Sequence, residues 1–290
     1  MTDDPFVTHR SLLFTVAYEI LGSVADAEDV VHEAWLRWAN VDPSEVLDPR
    51  AFLVRVVTRK ALDRLRTVAR RREDYVGPWL PEPLLTSAGA AEDVELAESL
   101  SMAMMLVLET LTPTERAVFV LREVFDVEYD EVAAAVGKTP AAVRQIAHRA
   151  RTHVAARRPR ERASADETRD ALRAFQRAIE SGDLQGLLDV LSPEVVALSD
   201  GGGIKQAVPK PVVGPERVAR LFRAGLAQFR TRVEFSQVEV NGWPALIMRL
   251  DGELDTVVAV RVENGRVTCV YSIRNPEKLS GVEKETSVSR

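Results

Sequence analysis

The chain has 290 residues, and 44 Asp and Glu outweigh 38 Lys and Arg to give a formal net charge of −6. That length is large for one core, so two or three domains are expected; no apolar run approaches the ~18 residues of a membrane span and no signal peptide is recognisable, so a cytoplasmic protein is expected. The negative total argues mildly against a free-standing nucleic-acid binder, but basic residues gather at 50–72 and 138–162 and acidic ones at 19–33 and 92–98, which suggests two DNA-facing surfaces and one acidic surface for another partner.

The first segment reads as all helical. Leu13, Val16, Ala17 and Ile20 form one apolar stripe; Ala27, Val30, Val31, Ala34, Trp35 and Trp38 form a second, opened by Ser23 with Asp26 three residues on. The exposed line of the second helix, Asp29, His32, Glu33 and Leu36, is acidic and apolar together and suits a basic helical partner. A third helix opens at Asp48-Pro49, buries Leu53, Val56 and Val57, and carries Arg55, Arg59, Lys60, Arg64 and Arg66 on its other faces, a pattern that fits phosphate contact.

From Val76 to Ser101 the composition turns to proline, glycine, alanine and acid, as in a linker. Its "WLPEPL", Trp79–Leu84, cannot be helical throughout, because proline disfavours helix in the residue before it. The stretch reads as a docking peptide or as a linker resting on the nearest domain. A helix over Glu95–Leu111 follows, with Met102, Met104 and Met105 as adaptable core.

Thr112–Val154 carries the densest signal. Thr112-Pro113-Thr114-Glu115 combines a capping box with proline at the first helical position, ahead of Val118, Leu121, Val124 and Phe125. Tyr129, Val132, Ala133 and Val136 make a second helix that Gly137 can end, and Thr139-Pro140 starts a third, which hides Val143, Ile146, Ala147, Ala150 and Val154. Arg144, Gln145, His148, Arg149 and Thr152 are left outward. Arginine can donate twice to guanine and glutamine can pair with adenine in the major groove, so this is a helix-turn-helix with a candidate groove-reading face. Basic residues continue through Arg151, Arg157, Arg158 and Arg160, as a phosphate-tracking arm would.

After Arg162 the chain changes character. A helix buries Leu172, Phe175 and Ile179, and another carries Val218, Leu221, Phe222, Gly225 and Phe229. Asn241-Gly242, Asp251-Gly252 and Asn264-Gly265 then punctuate four β-rich runs near 233–240, 243–250, 254–262 and 267–273, an antiparallel meander packed on helices. "SDGGGIK" joins two expected strands, Val195–Leu198 and Gln206–Val208. The lone cysteine, Cys269, excludes an internal disulfide framework and alternates with Val267, Tyr271 and Ile273 as a buried strand residue does. All four histidines lie upstream, and Asp200, Glu234, Glu239 and Asp255 form no recognisable acid–base pair, so neither catalysis, cofactor nor metal is expected.

"SVADAEDVVHEAWLRW", "DPRAFLVRVVTRKALDRLR" and "LTPTERAVFVLREVF", in this order, resemble the extracytoplasmic-function group of bacterial RNA polymerase sigma factors. The resemblance implies a multidomain fold of two all-α domains and, by likeness to the SnoaL-like fold, an α+β cone with a pocket. The boundaries expected are 1–72 for domain two, 73–100 for a linker, 101–162 for domain four, 163–279 for the cone and 280–290 for a flexible tail. It also implies that Asp26, Asp29, His32, Glu33 and Leu36 meet the β′ clamp helices of core RNA polymerase, with the β flap as a further contact. Asn40, Arg55, Arg59, Lys60 and Arg64 would serve the −10 element, and Thr139, Arg144, Gln145, His148 and Arg149 the −35 element. Trp38 is in phase with the buried face and reads as core.

A subgroup of these factors has a fused cone and three motifs that recur here: WLPEP at Trp79, Leu80, Pro81, Glu82 and Pro83; a DGGGK-like run at Asp200, Gly201, Gly202, Gly203 and Lys205, interrupted by Ile204; and an NPDKL-like ending at Asn275, Pro276 and Lys278. These imply interdomain regulation of promoter-specific initiation, with promoter DNA and core polymerase as partners of a monomer and a small molecule in the cone as a further candidate. The alternatives are a one-component ligand-sensing helix-turn-helix regulator and an enzyme whose active site is the cone.

Overall fold

The structure is a computed structural model that describes residues 4–72, 75–87, 93–158, 163–227, 232–279, 282 and 284–290. It divides into two compact units: Met1–Asp74, Gly89–Arg158 and Thr286–Arg290 form one, and Tyr75–Ala88 with Pro159–Glu285 the other.

The first unit is helical. α1 (Pro5–Leu21), α2 (Val24–Trp38) and α3 (Pro49–Arg72) each begin under a side-chain cap: Asp4 accepts from Phe6 N, Ser23 from Asp26 N and Asp48 from Ala51 N. α1 is buried from Leu12 to Leu21, so it serves as the central helix of its module. Trp38 is buried, as its phase predicts, and its Nε1 donates to Asp4 Oδ1 at 3.0 Å. Trp35, expected with it, is instead 42% exposed. It sits one turn beyond Val31, at the edge of the apolar stripe, where the next residue round the helix already faces water.

The single helix expected over Glu95–Leu111 is two, α4 (Val94–Leu100) and α5 (Met102–Leu108). Ser101 takes extended backbone (φ −52°, ψ 144°) and its hydroxyl caps Met104 N, ending one helix and starting the next. α6 (Pro113–Phe119) has both halves of its Thr112/Glu115 capping box and runs into a π-helical turn at Val120–Val124. α7 (Tyr129–Val136) ends at Gly137, φ 68°, and α8 (Pro140–Ala155) starts under Thr139. No helix among the described residues is long and apolar enough to cross a membrane.

The second unit contains α9 (Ala165–Ser181), α10 (Leu184–Val190), β1 (Leu191–Asp200), β2 (Val212–Val213), α11 (Pro215–Ala227), β3 (Val233–Val240), β4 (Trp243–Leu250), β5 (Glu253–Glu263), β6 (Arg266–Ile273) and α12 (Pro276–Leu279). The sheet order is β2-β1-β6-β5-β4-β3. Each of the three hairpins turns on an Asn or Asp and a Gly, all with positive φ, as a type I′ turn demands.

The meander is as expected over β3–β6, but β1 runs parallel to β6, with Leu198 opposite Tyr271. The strand expected at Gln206–Val208 is loop; β1 pairs on its other side with β2 instead. Pro209 and Pro211 have no N–H for a ladder at that point. The core joins Leu172 and Phe175 of α9 and Val218 of α11 to Val195, Leu246 and Val270 of the sheet. Cys269 is buried, and that burial pushes its thiol upward.

Two domain expectations are corrected. Tyr75–Ala88, read as linker, belongs to the C-terminal unit, whereas the following residues from α4 onward belong to the helical one. The tail, read as flexible, is held at its end: Ser289 N donates to Thr15 Oγ1 at 3.2 Å, and Arg290 pairs with Asp93 and Glu95 at 3.3 and 2.5 Å. Phe229, Arg160 and Arg162 lie outside the described residues.

Candidate functional site

On α8, the apolar stripe Val143, Ala147, Ala150 and Val154 is buried, and Arg144, Gln145, His148, Arg149 and Thr152 are exposed together. Thr139 itself is spent on the cap, accepting from Ala142 N at 3.2 Å. Tyr129 lies between two guanidinium groups, with Arg122 at 4.7 Å and Arg144 at 5.3 Å from its ring centroid, so Arg144 is steadied from α7. Arg149 is 3.7 Å from Glu115 and Arg151 3.7 Å from Glu123. The basic arm is only partly available: Arg158 is paired with Glu98.

The residues expected at core polymerase and at the −10 element are brought onto adjoining faces of α2 and α3. Arg64 binds Asp26 and Asp29, each at 2.7 Å, and Lys60 binds Glu33 at 2.7 Å. These pairs are largely solvated, and such pairs are worth about 0–1 kcal/mol, so a partner can exchange them readily. Asn40 Nδ2 donates to Leu36 O at 2.7 Å and closes the end of α2. Arg55 lies over Phe52, 5.6 Å from its centroid. His32 stacks on Trp35 at 5.8 Å, and Leu36 is exposed beside them. Trp35 is thus a member of the exposed strip that periodicity alone had assigned to the core.

Within the helical unit the two modules are tied. Arg59 Nη2 donates to Ala134 O of α7 at 2.7 Å. Glu19 of α1 and Arg116 of α6 are both buried: Arg116 Nε donates to Glu19 O at 2.8 Å, and Glu19 Oε1 lies 2.6 Å from Ser99 Oγ of α4. Burial raises Glu19 to about 8, against the lowering effects of Ser99 and Arg116. The sequence gives Glu19 only as one of an acidic run; its burial depends on α4 and α6, some 80 and 97 positions away.

In the C-terminal unit the three motifs converge on Asp200, which is fully buried at the end of β1. Its carboxylate accepts from Tyr75 Oη at 2.5 Å, Leu80 N at 2.8 Å, Gly202 N at 3.1 Å and Lys278 Nζ at 2.7 Å. Lys278 also covers the Trp79 ring, 3.9 Å from its centroid. Asn275 Nδ2 donates to Tyr75 Oη at 2.9 Å, and Gly202, φ 62°, leaves no room for a Cβ against Asn275. Burial, then the Asp200 carboxylate, push the Tyr75 hydroxyl well above its ordinary range. Leu80, Pro81, Pro83 and Leu84 are buried.

Asn241 completes this grip and was legible only as a turn residue. Its Oδ1 accepts from Leu84 N at 2.9 Å, its own N donates to Leu84 O at 2.8 Å, and Thr86 pairs with Glu239. Lys205 does not join the Asp200 cluster; displaced by Ile204, it reaches Asp255 Oδ1 at 2.6 Å. Burial would raise Asp255, but Lys205, Thr256 and Arg274 together hold it below its ordinary value. Asp255 is therefore an occupied ion-pair partner.

An exposed polar and basic face on α8 and an acidic and aromatic strip beside a basic helix fit a promoter-recognition subunit of RNA polymerase. Sigma-70 region 2 matches residues 6–72 and Sigma-70, region 4 matches residues 101–154. The ECF RNA polymerase sigma factor SigJ of Mycobacterium tuberculosis is 37% identical over 290 residues, covering 95% of this chain and 92% of that one. The probable ECF RNA polymerase sigma factor SigI of the same organism is 31% identical, covering 96% and 94%. The crystal structure of M. tuberculosis SigJ superposes with a TM-score of 0.76 at 34% identity, over 95% of this chain and 97% of that one. The chain belongs to the extracytoplasmic-function family of RNA polymerase sigma factors, which bind core polymerase and direct promoter-specific initiation. The one-component regulator is thereby set aside.

Proposed function

We propose that the C-terminal unit regulates the promoter-binding unit by holding the segment that joins the two sigma modules. The observation that carries this is the burial of "WLPEPL" on Asp200, Lys278 and Asn241: the chain between α3 and α4 cannot extend freely while it is gripped. Asp26, Asp29, His32, Glu33, Trp35 and Leu36 face the β′ clamp helices, and the second module adds a β flap contact. Asn40, Arg55, Arg59, Lys60 and Arg64 serve the −10 element; Arg144, Gln145, His148 and Arg149 read the −35 element from a helix started by Thr139.

Arg59, Lys60 and Arg64 all have intramolecular partners, so polymerase and promoter binding must draw the population toward an arrangement that releases them. The chain acts as a monomer in the cytoplasmic holoenzyme, and the cone receives a small molecule rather than catalysing a reaction. Core polymerase titrated with the full chain tests this, beside an Asp29→Arg, Glu33→Arg variant and Lys278→Met. The double variant loses saturable binding, and Lys278→Met keeps binding while changing promoter-dependent transcription several-fold. Binding retained by the double variant would remove the polymerase face; unchanged transcription by Lys278→Met would remove the regulatory role of the grip.

A further inference from the structure

The cavity of the C-terminal unit has an apolar wall and a small polar end. Its volume is about 460 Å³, within the usual range for small-molecule sites. Phe175, Leu221, Phe222, Phe235, Leu246 and Met248 build the apolar wall, with Phe175 and Phe222 edge to face at 5.1 Å. Such a wall suits flat rings.

The polar end is set by register. Ser199 of β1 lies opposite Ser272 of β6, and both line the cavity. The two residues are 9% and 5% exposed, and neither hydroxyl has a hydrogen-bond partner among the described residues. Thr256 also lines the cavity, but its hydroxyl donates to Asp255 Oδ2 at 2.6 Å. Buried hydroxyls are seldom left unpaired, and the space before these two is far larger than a single water needs. A ligand group that meets both serines would satisfy them.

Charge narrows the class. Among the described residues that line the cavity, Arg274 alone is charged. Its three guanidinium nitrogens are all engaged: Nε reaches Asp255 Oδ2 at 3.2 Å, Nη2 reaches the same oxygen at 3.0 Å, and Nη1 donates to Gln206 O at 2.6 Å. An anionic ligand would have to displace Asp255, which is itself buried and fixed in the chain. A cationic one would meet no carboxylate on the wall and would pay its desolvation uncompensated. A neutral carbonyl or hydroxyl meets neither obstacle, because serine can both donate and accept.

We infer that the cavity binds an uncharged, ring-containing apolar molecule whose carbonyl or hydroxyl group meets Ser199 and Ser272 while its rings lie against the phenylalanines. This rests on the proposal that the cone receives a small molecule and adds the class.

The test uses the full chain and two fluorescent naphthalene probes: uncharged 6-propionyl-2-dimethylaminonaphthalene, whose ketone accepts hydrogen bonds, and anionic 1-anilinonaphthalene-8-sulfonate. Gly225 of α11 lines the cavity, and a Cβ built there meets nothing within 4 Å, so Gly225→Phe fills the space and Gly225→Ala is its control. The expected result is saturable binding of the ketone, several-fold tighter than the sulfonate and lost in Gly225→Phe but not in Gly225→Ala. Ser199→Ala combined with Ser272→Ala weakens the ketone several-fold and moves the emission of what still binds to shorter wavelength, a shift that a merely structural role for the serines would not produce. If neither probe binds saturably, or Gly225→Phe leaves binding intact, the cavity is not a ligand site and the underlying proposal falls as well. If Gly225→Phe removes binding but the sulfonate binds as tightly as the ketone, or the serine variant changes neither affinity nor emission, only the uncharged, serine-bound class is overturned.

Discussion

Lys278 Nζ lies 2.7 Å from Asp200 Oδ2, with both side chains sealed from water and 78 positions apart in the chain. The pair joins α12 to the end of β1, and both partners also bind Leu80 through its main chain. A buried pair of this kind is weak evidence for added stability when whole, but breaking it leaves one charge without its counterion.

Lys278→Met is therefore expected to destabilise the C-terminal unit by about 3–5 kcal/mol. Asp200→Asn combined with it is expected to cost less than the sum of the two single changes, since each removes the same interaction. Urea unfolding of the full chain measures both. Additive effects would show that the two side chains act independently.

Asn241→Gly separates the turn from the grip. Glycine keeps the left-handed backbone that Asn241 adopts at φ 57°, but it removes the acceptor for the buried Leu84 N. An orphaned buried N–H costs about 1–3 kcal/mol. Hydrogen exchange at Leu84 and Thr86 should accelerate while β3 and β4 stay protected; unchanged exchange at Leu84 would contradict the assigned role of Oδ1.

Glu19 makes the helical unit pH dependent. Its folded value, about 8, exceeds the ordinary 4.5, so the folded state holds a proton that the unfolded chain has released. The stability it supports is complete below about 4.5, falls as pH rises, and levels off above about 8. Protonated, Glu19 can donate to Ser99 Oγ, freeing that hydroxyl to donate to Leu96 O at 2.9 Å. Glu19→Gln should flatten the melting temperature of the helical transition between these limits. An unchanged slope would assign the dependence to another group.

Arg144→Ala and Gln145→Ala, assayed as holoenzyme, should each cost about 1–3 kcal/mol on the preferred −35 duplex and relax preference at one base position. Uniform weakening across all sequences would mean phosphate contact instead, and would move base reading elsewhere on α8.

Much of the site was legible from short-range signals. The Thr112/Glu115 box, Gly137 and Thr139 bound the helix-turn-helix where the chain places it, and the outward set Arg144, Gln145, His148 and Arg149 follows from the spacing of Val143, Ala147 and Ala150. Trp35 was misplaced because periodicity gives a stripe without an edge. Asn241 was read as a turn only, since its second role needs Leu84, 157 positions away.

By itself the sequence determined most of the helices, the caps at Ser23, Thr112 and Thr139, the three I′ hairpins and the family, because each depends on residues within a few positions or on motifs in order. Only the tertiary structure decided that Leu80, Pro81, Pro83 and Leu84 are buried, that β1 runs beside β6, that Arg59, Lys60 and Arg64 have partners, and that burial raises Glu19 above the ordinary carboxyl range. Each of these depends on which distant groups exclude water from a charge or an amide, and burial is a property of the packed chain rather than of any segment of it.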